Sequence, residues 1–200
     1  WGIEEKYIVG TSTTPVEGLC VSDKVERVPQ ILTLEDIRAL LKNAKETEHP
    51  WYPIWAFAML TGMRSGELKA LQWKDIDFEK RIITVSKSYS PHIKGIKSTK
   101  AGYWRNVPIS QDLEDVIKGL EEDNEITPDG FVLPRHYSWS NGQAGQVLRD
   151  FLSEIGIEKS VVFHTLRACF ATHMLASGVD QATVMKIGGW RDIKTFQIYV

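Results

Sequence analysis

Cysteine is nearly missing from this chain, with only Cys20 and Cys169 among 200 residues. Two thiols cannot build a disulfide scaffold, and neither lies in a C-x-x-C spacing that would point to a metal site. Long apolar runs are missing too. The longest, Trp55 to Leu60, falls far short of the roughly 20 residues a membrane-spanning helix needs. No basic-then-apolar leader opens the chain, so the expectation is a soluble cytoplasmic protein without a membrane partner. Positive charge is also short: 24 Lys and Arg against 26 Asp and Glu leave a formal charge of -2. Taken alone, that balance weighs against a nucleic-acid partner, because phosphate binders usually carry net positive charge.

The sum conceals the distribution. From Arg81 to Ser110 stand Arg81, Lys87, Lys94, Lys97, Lys100 and Arg105 with no Asp or Glu. The segment that follows carries Asp112, Glu114, Asp115, Glu121, Glu122, Asp123 and Glu125. A strongly basic hairpin is therefore hidden behind an acidic helix. From charge alone it reads equally as a lysine-rich solvated edge or as a surface for a polyanion.

With 42% hydrophobic residues, the chain suffices for one well-packed core. Residues 1–30 mix Gly, Pro, Ser and Thr without a sustained period and read as a linker or the tail of an upstream domain. Thr33 and Asp36 resemble a capping box opening an amphipathic helix to about Ala44. Trp51 to Leu60 is nearly all apolar and predicts a helix buried on most sides, stopped by Thr61-Gly62. Arg64 opens a short third helix. Arg81 to Ser86 and Trp104 to Ile109 alternate and are β-branched, predicting a small antiparallel sheet. Helices are then expected at Leu113 to Leu120, Gln143 to Glu154, His164 to Ala176, Asp180 to Ile187 and Asp192 to Tyr199, with Gly178 and Gly188-Gly189 between them. The fold class is mainly α with one small three-stranded antiparallel β-sheet. Cys169, inside an apolar helix, reads as core packing, and His49, His92, His136 and His173 read as surface or satisfied core.

His164 and Arg167, three apart on one helix, project from one face and can reach a single anion. Arg64 precedes Glu67 by three, so the carboxylate is placed to hold the guanidinium through charge-assisted hydrogen bonds. An oriented, permanently charged fork suits a phosphodiester, and two such forks gain in value as the attacked phosphorus accumulates charge. Asp75 and Asp77 form the nearest acidic pair and read as a turn rather than a metal site. Tyr199 ends an amphipathic helix whose Ile193 and Phe196 share its face. Its phenol, with a pKa of about 10, needs neighbouring cations and a base to act as a nucleophile. Tyr103 and Trp104 flank the basic hairpin and are left outside the site.

Thr61-Gly62-Met63-Arg64-Ser65-Gly66-Glu67-Leu68, His164-Thr165-Leu166-Arg167, Gly189-Trp190 and Tyr199, in this order, resemble the signature of the tyrosine recombinases, or phage integrase family. The resemblance runs from about Leu32 to Val200. It implies that family's catalytic-domain fold over residues 31–200 and a DNA breaking and rejoining enzyme. Arg64 and Arg167 would clamp the scissile phosphate, and Tyr199 would attack it to form a 3'-phosphotyrosine. His164 would act on the phenol, and Trp190, where such enzymes have His or Trp, would bind and pack. A hairpin lysine would protonate the leaving 5'-oxygen. Lys97 is favoured from its Lys-Ser start, while counting back from Val107-Pro108 makes Lys100 equally acceptable. Lys94, Lys100 and Arg105 would contact DNA, and Glu67 would support Arg64.

The resemblance further implies double-stranded DNA as substrate and partner, a homo-tetramer on DNA, and no metal, nucleotide cofactor or small-molecule substrate. It also implies an N-terminal core-DNA-binding domain before residue 31 and a further C-terminal segment after Val200. Ala168 replaces a histidine often found after the second arginine. A type IB topoisomerase-like enzyme and a non-catalytic DNA-binding relative are the alternatives.

Overall fold

The structure is a computed structural model, and it describes residues 30–98, 103–123, 126–138 and 143–199. Residues 1–29 of the linker expected over 1–30, Cys20 among them, and Lys100 lie outside the described residues.

The first helix, α1 (Leu34–Glu46), begins at a reciprocal capping box. Thr33 Oγ1 accepts from Asp36 N–H at 3.2 Å, and Asp36 Oδ2 accepts from Thr33 N–H at 2.8 Å, so aspartate serves where glutamate is usual. In α2 (Tyr52–Thr61) every residue from Ile54 to Met59 is buried. Gly62 terminates α2 in the left-handed region at φ +62°, and a Cβ there would lie 2.4 Å from the Phe170 ring. The turn that follows delivers Arg64 as the N-cap of α3 (Ser65–Lys69).

A 3-10 turn at Trp73–Asp75 leads into β1 (Ile76–Asp77), then β2 (Ile82–Val85), β3 (Lys87–Ser90), β4 (Gly95–Ser98) and β5 (Arg105–Pro108). The expected three-stranded antiparallel sheet is β1-β2-β5, with Ile83 opposite Val107 and Val85 opposite Arg105. Alternation puts Ile83, Val85 and Val107 into the core and Thr84 and Asn106 on the other face. Strand β1 comes from the Asp75–Asp77 stretch that the sequence presents as a turn. The basic segment forms a hairpin of its own, β3-β4, apart from that sheet.

The acidic helix is α4 (Gln111–Asp123). A short α5 (Pro134–Ser138) follows, then α6 (Gln143–Glu154), whose Leu148, Phe151 and Leu152 face inward. Helix α7 (Phe163–Ala176) packs on α2, and residues Thr165 to Ala171 are buried without a break. Two helices buried all round thus form the centre of the molecule. Cys169 is core packing, as expected, with its sulfur accepting from Leu32 N–H at 3.3 Å. Helix α8 (Gln181–Gly188) starts at Asp180, which accepts from Thr183 N–H, and stops at Gly189 with φ +79°.

The last helix, α9 (Ile193–Phe196), is one turn long and tightens into a 3-10 turn, Gln197–Tyr199. Ile193 is therefore not on the face expected for it. The 3-10 turn aligns Phe196, fully buried, with Tyr199, while Ile193 opens the helix facing outward at 52% exposure. No helix among the described residues is long and apolar enough to cross a membrane.

Candidate active site

The C-terminus of α8 organises the site. The last carbonyls of a helix lack intrahelical partners and carry the negative end of its dipole, so they attract cations. Here three consecutive carbonyls each accept from a different arginine. Ile187 O takes Arg105 Nε–H at 2.7 Å, Gly188 O takes Arg167 Nη1–H at 2.5 Å, and Gly189 O takes Arg64 Nη2–H at 2.9 Å. The Gly-Gly pair is dictated by this crowding. A Cβ on Gly188 would lie 2.0 Å from the Trp190 ring, and one on Gly189 would lie 2.9 Å from the Arg105 guanidinium.

Arg167 is the most enclosed of the three. Its Nη1 also donates to Gly62 O, which joins the end of α2 to the end of α8. Its guanidinium lies 3.5 Å from the centroid of Trp190, a cation–π contact. Burial, then the neighbouring Arg64 charge, pushes its pKa down to about 9, which leaves it a cation at neutral pH. Its Nη2 is buried without a protein partner among the described residues. An unpaired buried donor on a charged group costs on the order of a few kcal/mol, which a bound anion would relieve.

Glu67 collects the other two arginines. Its carboxylate, 4% exposed, accepts from Arg64 N–H at 2.8 Å and Arg64 Nη1 at 3.1 Å, and from Arg105 Nη1 and Nη2 at 3.0 and 2.7 Å. Burial pushes this carboxyl up, but the hydrogen bonds and charge of Arg105, joined by Arg64, hold it below the ordinary range.

His164 lies in the first turn of α7, on the face of Arg167. Desolvation, then the charges of Arg167 and Arg64, holds its imidazole below the usual 6.5. Its Nε2 is 3.5 Å from the Tyr199 phenol oxygen. Tyr199 is half-buried, edge-on to Trp190 with ring centroids 5.5 Å apart, and its carbonyl accepts from Thr172 Oγ1–H at 3.3 Å.

The structure thus brings together Arg64, Glu67, His164, Arg167, Trp190 and Tyr199. Arg105, expected on DNA, is turned inward instead, with its side chain 12% exposed and its fork on Glu67. Arg64 had marked Glu67 as its own partner in the sequence, and nothing local signalled the second claimant 38 residues on. Lys94 and Lys97 stand exposed on the β3-β4 hairpin, Lys94 in its turn at φ +47°. That hairpin packs directly on α3, since a Cβ on Gly66 would lie 2.6 Å from Ser88 Oγ and 2.8 Å from Tyr89 O. Asp75 and Asp77 are held by Lys87 and Lys80, at 2.8 and 2.6 Å. Tyr103 and Trp104, left outside the site by the sequence reading, are exposed on a cleft shared with Arg64, Arg105 and Trp190, and the Arg191 guanidinium lies 3.6 Å from the Tyr103 ring centroid.

Comparison with known proteins agrees with the family resemblance. The phage integrase family model matches residues 30–200. The chain belongs to the phage integrase family. It is 30% identical to the tyrosine recombinase XerD of Listeria innocua serovar 6a over 88% of this chain and 59% of that relative. It is 31% identical to the tyrosine recombinase XerA of Pyrococcus furiosus over 86% of this chain and 57% of that relative. The chain therefore spans less than two thirds of the length of these integrase-family relatives. The Tn1549 transposon integrase, solved in complex with a circular intermediate DNA, superposes with a TM-score of 0.77 at 18% identity, over 99% of this chain and 69% of that one. That likeness shows the catalytic-domain fold of the family.

Proposed function

We propose that this domain cleaves and rejoins double-stranded DNA as the catalytic domain of a site-specific recombinase, through a 3'-phosphotyrosine on Tyr199. The observation that carries the reading is the pairing of two arginines, tied to adjacent carbonyls of one helix end, with a phenol oxygen 3.5 Å from the His164 imidazole nitrogen. Arg64 and Arg167 bind the two non-bridging oxygens of the scissile phosphate, and Arg167 Nη2 supplies the donor the protein leaves unpaired. Their charge gains in value as the phosphorus becomes pentacoordinate, so they lower the barrier rather than only the binding energy.

Tyr199 Oη attacks phosphorus and gives its proton to His164 Nε2. The P–O5' bond breaks, and the leaving 5'-oxygen takes a proton from Lys97 on the β3-β4 hairpin. The phosphodiester energy is retained in the Tyr199–phosphate bond, so rejoining needs no nucleotide. Two permanent cations supply the charge a metal ion would otherwise bring. Family membership supports a DNA-bound assembly of four chains, in which each domain offers one phosphotyrosine.

The test is covalent capture. The intact protein, incubated in chelator with a nicked suicide duplex, should give a protein–DNA adduct on a denaturing gel, and Tyr199→Phe should give none. DNA binding without any adduct would assign the domain as a non-catalytic DNA-binding relative. Supercoil relaxation without strand exchange would assign it as a type IB topoisomerase-like enzyme.

A further inference from the structure

Arg105 and Arg64 share one carboxylate but differ in what else they can do. Arg105 spends Nε on Ile187 O and both terminal nitrogens on Glu67, in a side chain 12% exposed. Arg64, 46% exposed, makes one longer contact to the same Glu67 Oε1 at 3.1 Å and keeps an open face to the cleft. A carboxylate as buried as Glu67 requires a partner cation, and removing one leaves a charge that seeks another. Arg64 is the cation already beside Glu67 and the more exposed of the two. Without Arg105, its fork would close on Glu67 in bidentate fashion and leave Gly189 O. The end of α8 would lose two of its three arginines, and the Gly188 carbonyl that holds Arg167 would lose its fixed position.

We propose that Arg105 is a positioning residue for the phosphate clamp: by neutralising Glu67 and pinning the end of α8, it keeps Arg64 and Arg167 turned toward the scissile phosphate. This rests on the clamp reading above, and it departs from a direct DNA contact. Arg105 and the end of α8 are in close contact, because a Cβ on Gly189 would lie 2.9 Å from the Arg105 guanidinium and would have to displace it.

The experiment measures single-turnover adduct formation and DNA affinity in the intact protein for Arg105→Gln, Arg105→Lys, Arg64→Ala and the double variant Arg105→Gln/Glu67→Gln. Each is assayed on a normal duplex and on one with a methylphosphonate at the scissile position. That substitution replaces one of the two non-bridging oxygens with methyl and removes the negative charge the clamp serves. Arg105→Gln should slow adduct formation on the phosphodiester by about 100-fold, the scale of a misplaced transition-state donor. On the methylphosphonate the loss should shrink to about 5-fold or less, tracking Arg64→Ala, and DNA affinity should change by less than about 3-fold. The double variant should recover about 10-fold of the rate, because a neutral amide no longer draws Arg64 inward. Arg105→Lys, which keeps the charge and loses the fork, should fall between wild type and Arg105→Gln.

Equal losses on both substrates would overturn the proposal in favour of a purely structural role, and a loss of affinity matching the loss of rate would make Arg105 a direct DNA contact. If Arg105→Gln does not fold, Arg105→Lys and the double variant carry the same comparison. Absence of an adduct from the wild-type protein would instead overturn the clamp reading, and this proposal with it.

Discussion

His136 sits in α5 with no exposed surface, stacked on Phe163 at 4.9 Å and edge-on to Trp51 at 5.7 Å. Its Nε2 is 3.1 Å from Ser65 Oγ, while its Nδ1 is buried without a partner among the described residues. It thus touches the neighbour of Arg64 and the neighbour of His164, bridging the two halves of the site. Burial, then the charge of Lys69, pushes its pKa down to about 4 from 6.5. The unfolded chain therefore takes up a proton below pH 6.5 that the folded protein refuses. The stability from neutral His136 is whole above about pH 6.5 and is lost as pH falls toward 4, amounting to about 3 kcal/mol. Urea unfolding at pH 7.5, 5.5 and 4.5 should show that decline, and it should be nearly flat in His136→Phe once other groups are subtracted. An equally steep decline in the variant would place the acid sensitivity elsewhere.

At the scale of elements, the end of α8 matters most, and its sequence signal is only a pair of glycines. Gly188→Ala puts a methyl within 2.0 Å of Trp190, and the ring cannot yield without leaving Arg167. The expected cost is about 1–3 kcal/mol from overpacking, with a larger loss of adduct rate than Gly178→Ala produces. At Gly178 no atom lies within 4 Å of the added Cβ, although φ there is +89°. Denaturant midpoints and adduct rates of the two variants check this, and similar losses in both would mean that α8 does not organise the clamp. The contrast also shows why some elements were legible and others were not. The helices α1, α6 and α7 announce themselves through a capping box or ten and more residues of pattern, and the Gly62 stop needs only its own φ. The elements α5, β1 and the strands β3 and β4 are two to five residues long, too short for periodicity to declare, and form because neighbours cover them. Arg64, His164, Arg167, Trp190 and Tyr199 could be read from ordered motifs. The inward turn of Arg105 could not, since a salt bridge between β5 and α3 leaves no local pattern.

For the whole molecule, a formal charge of -2 has to be reconciled with the DNA substrate proposed for it. The fold does so by separating the signs, with the acidic residues on α4 and the exposed Lys94 and Lys97 on the hairpin that packs beside Arg64. Two kinds of cation then have different duties. On that proposal Lys94, on the exposed turn, would bind a phosphate and release its counterions, so Lys94→Ala should lower the slope of log affinity against log salt by about 1 and weaken binding severalfold. Arg167, buried and oriented by two carbonyls and an indole, would instead act on charge that develops during reaction. Arg167→Ala should therefore slow adduct formation at saturating DNA by about 100-fold or more, with Lys94→Ala far milder in rate. Arg167→Lys, which keeps the charge but not the fork, should recover little of it, because a single nitrogen cannot stand both between Gly62 O and Gly188 O, where Nη1 sits, and at the separate Nη2 position offered to the phosphate. Salt titrations of binding alongside single-turnover rates separate the two duties. Small and equal rate losses for Arg167→Ala and Lys94→Ala would mean that the buried arginine stabilises the fold and not the reacting phosphate.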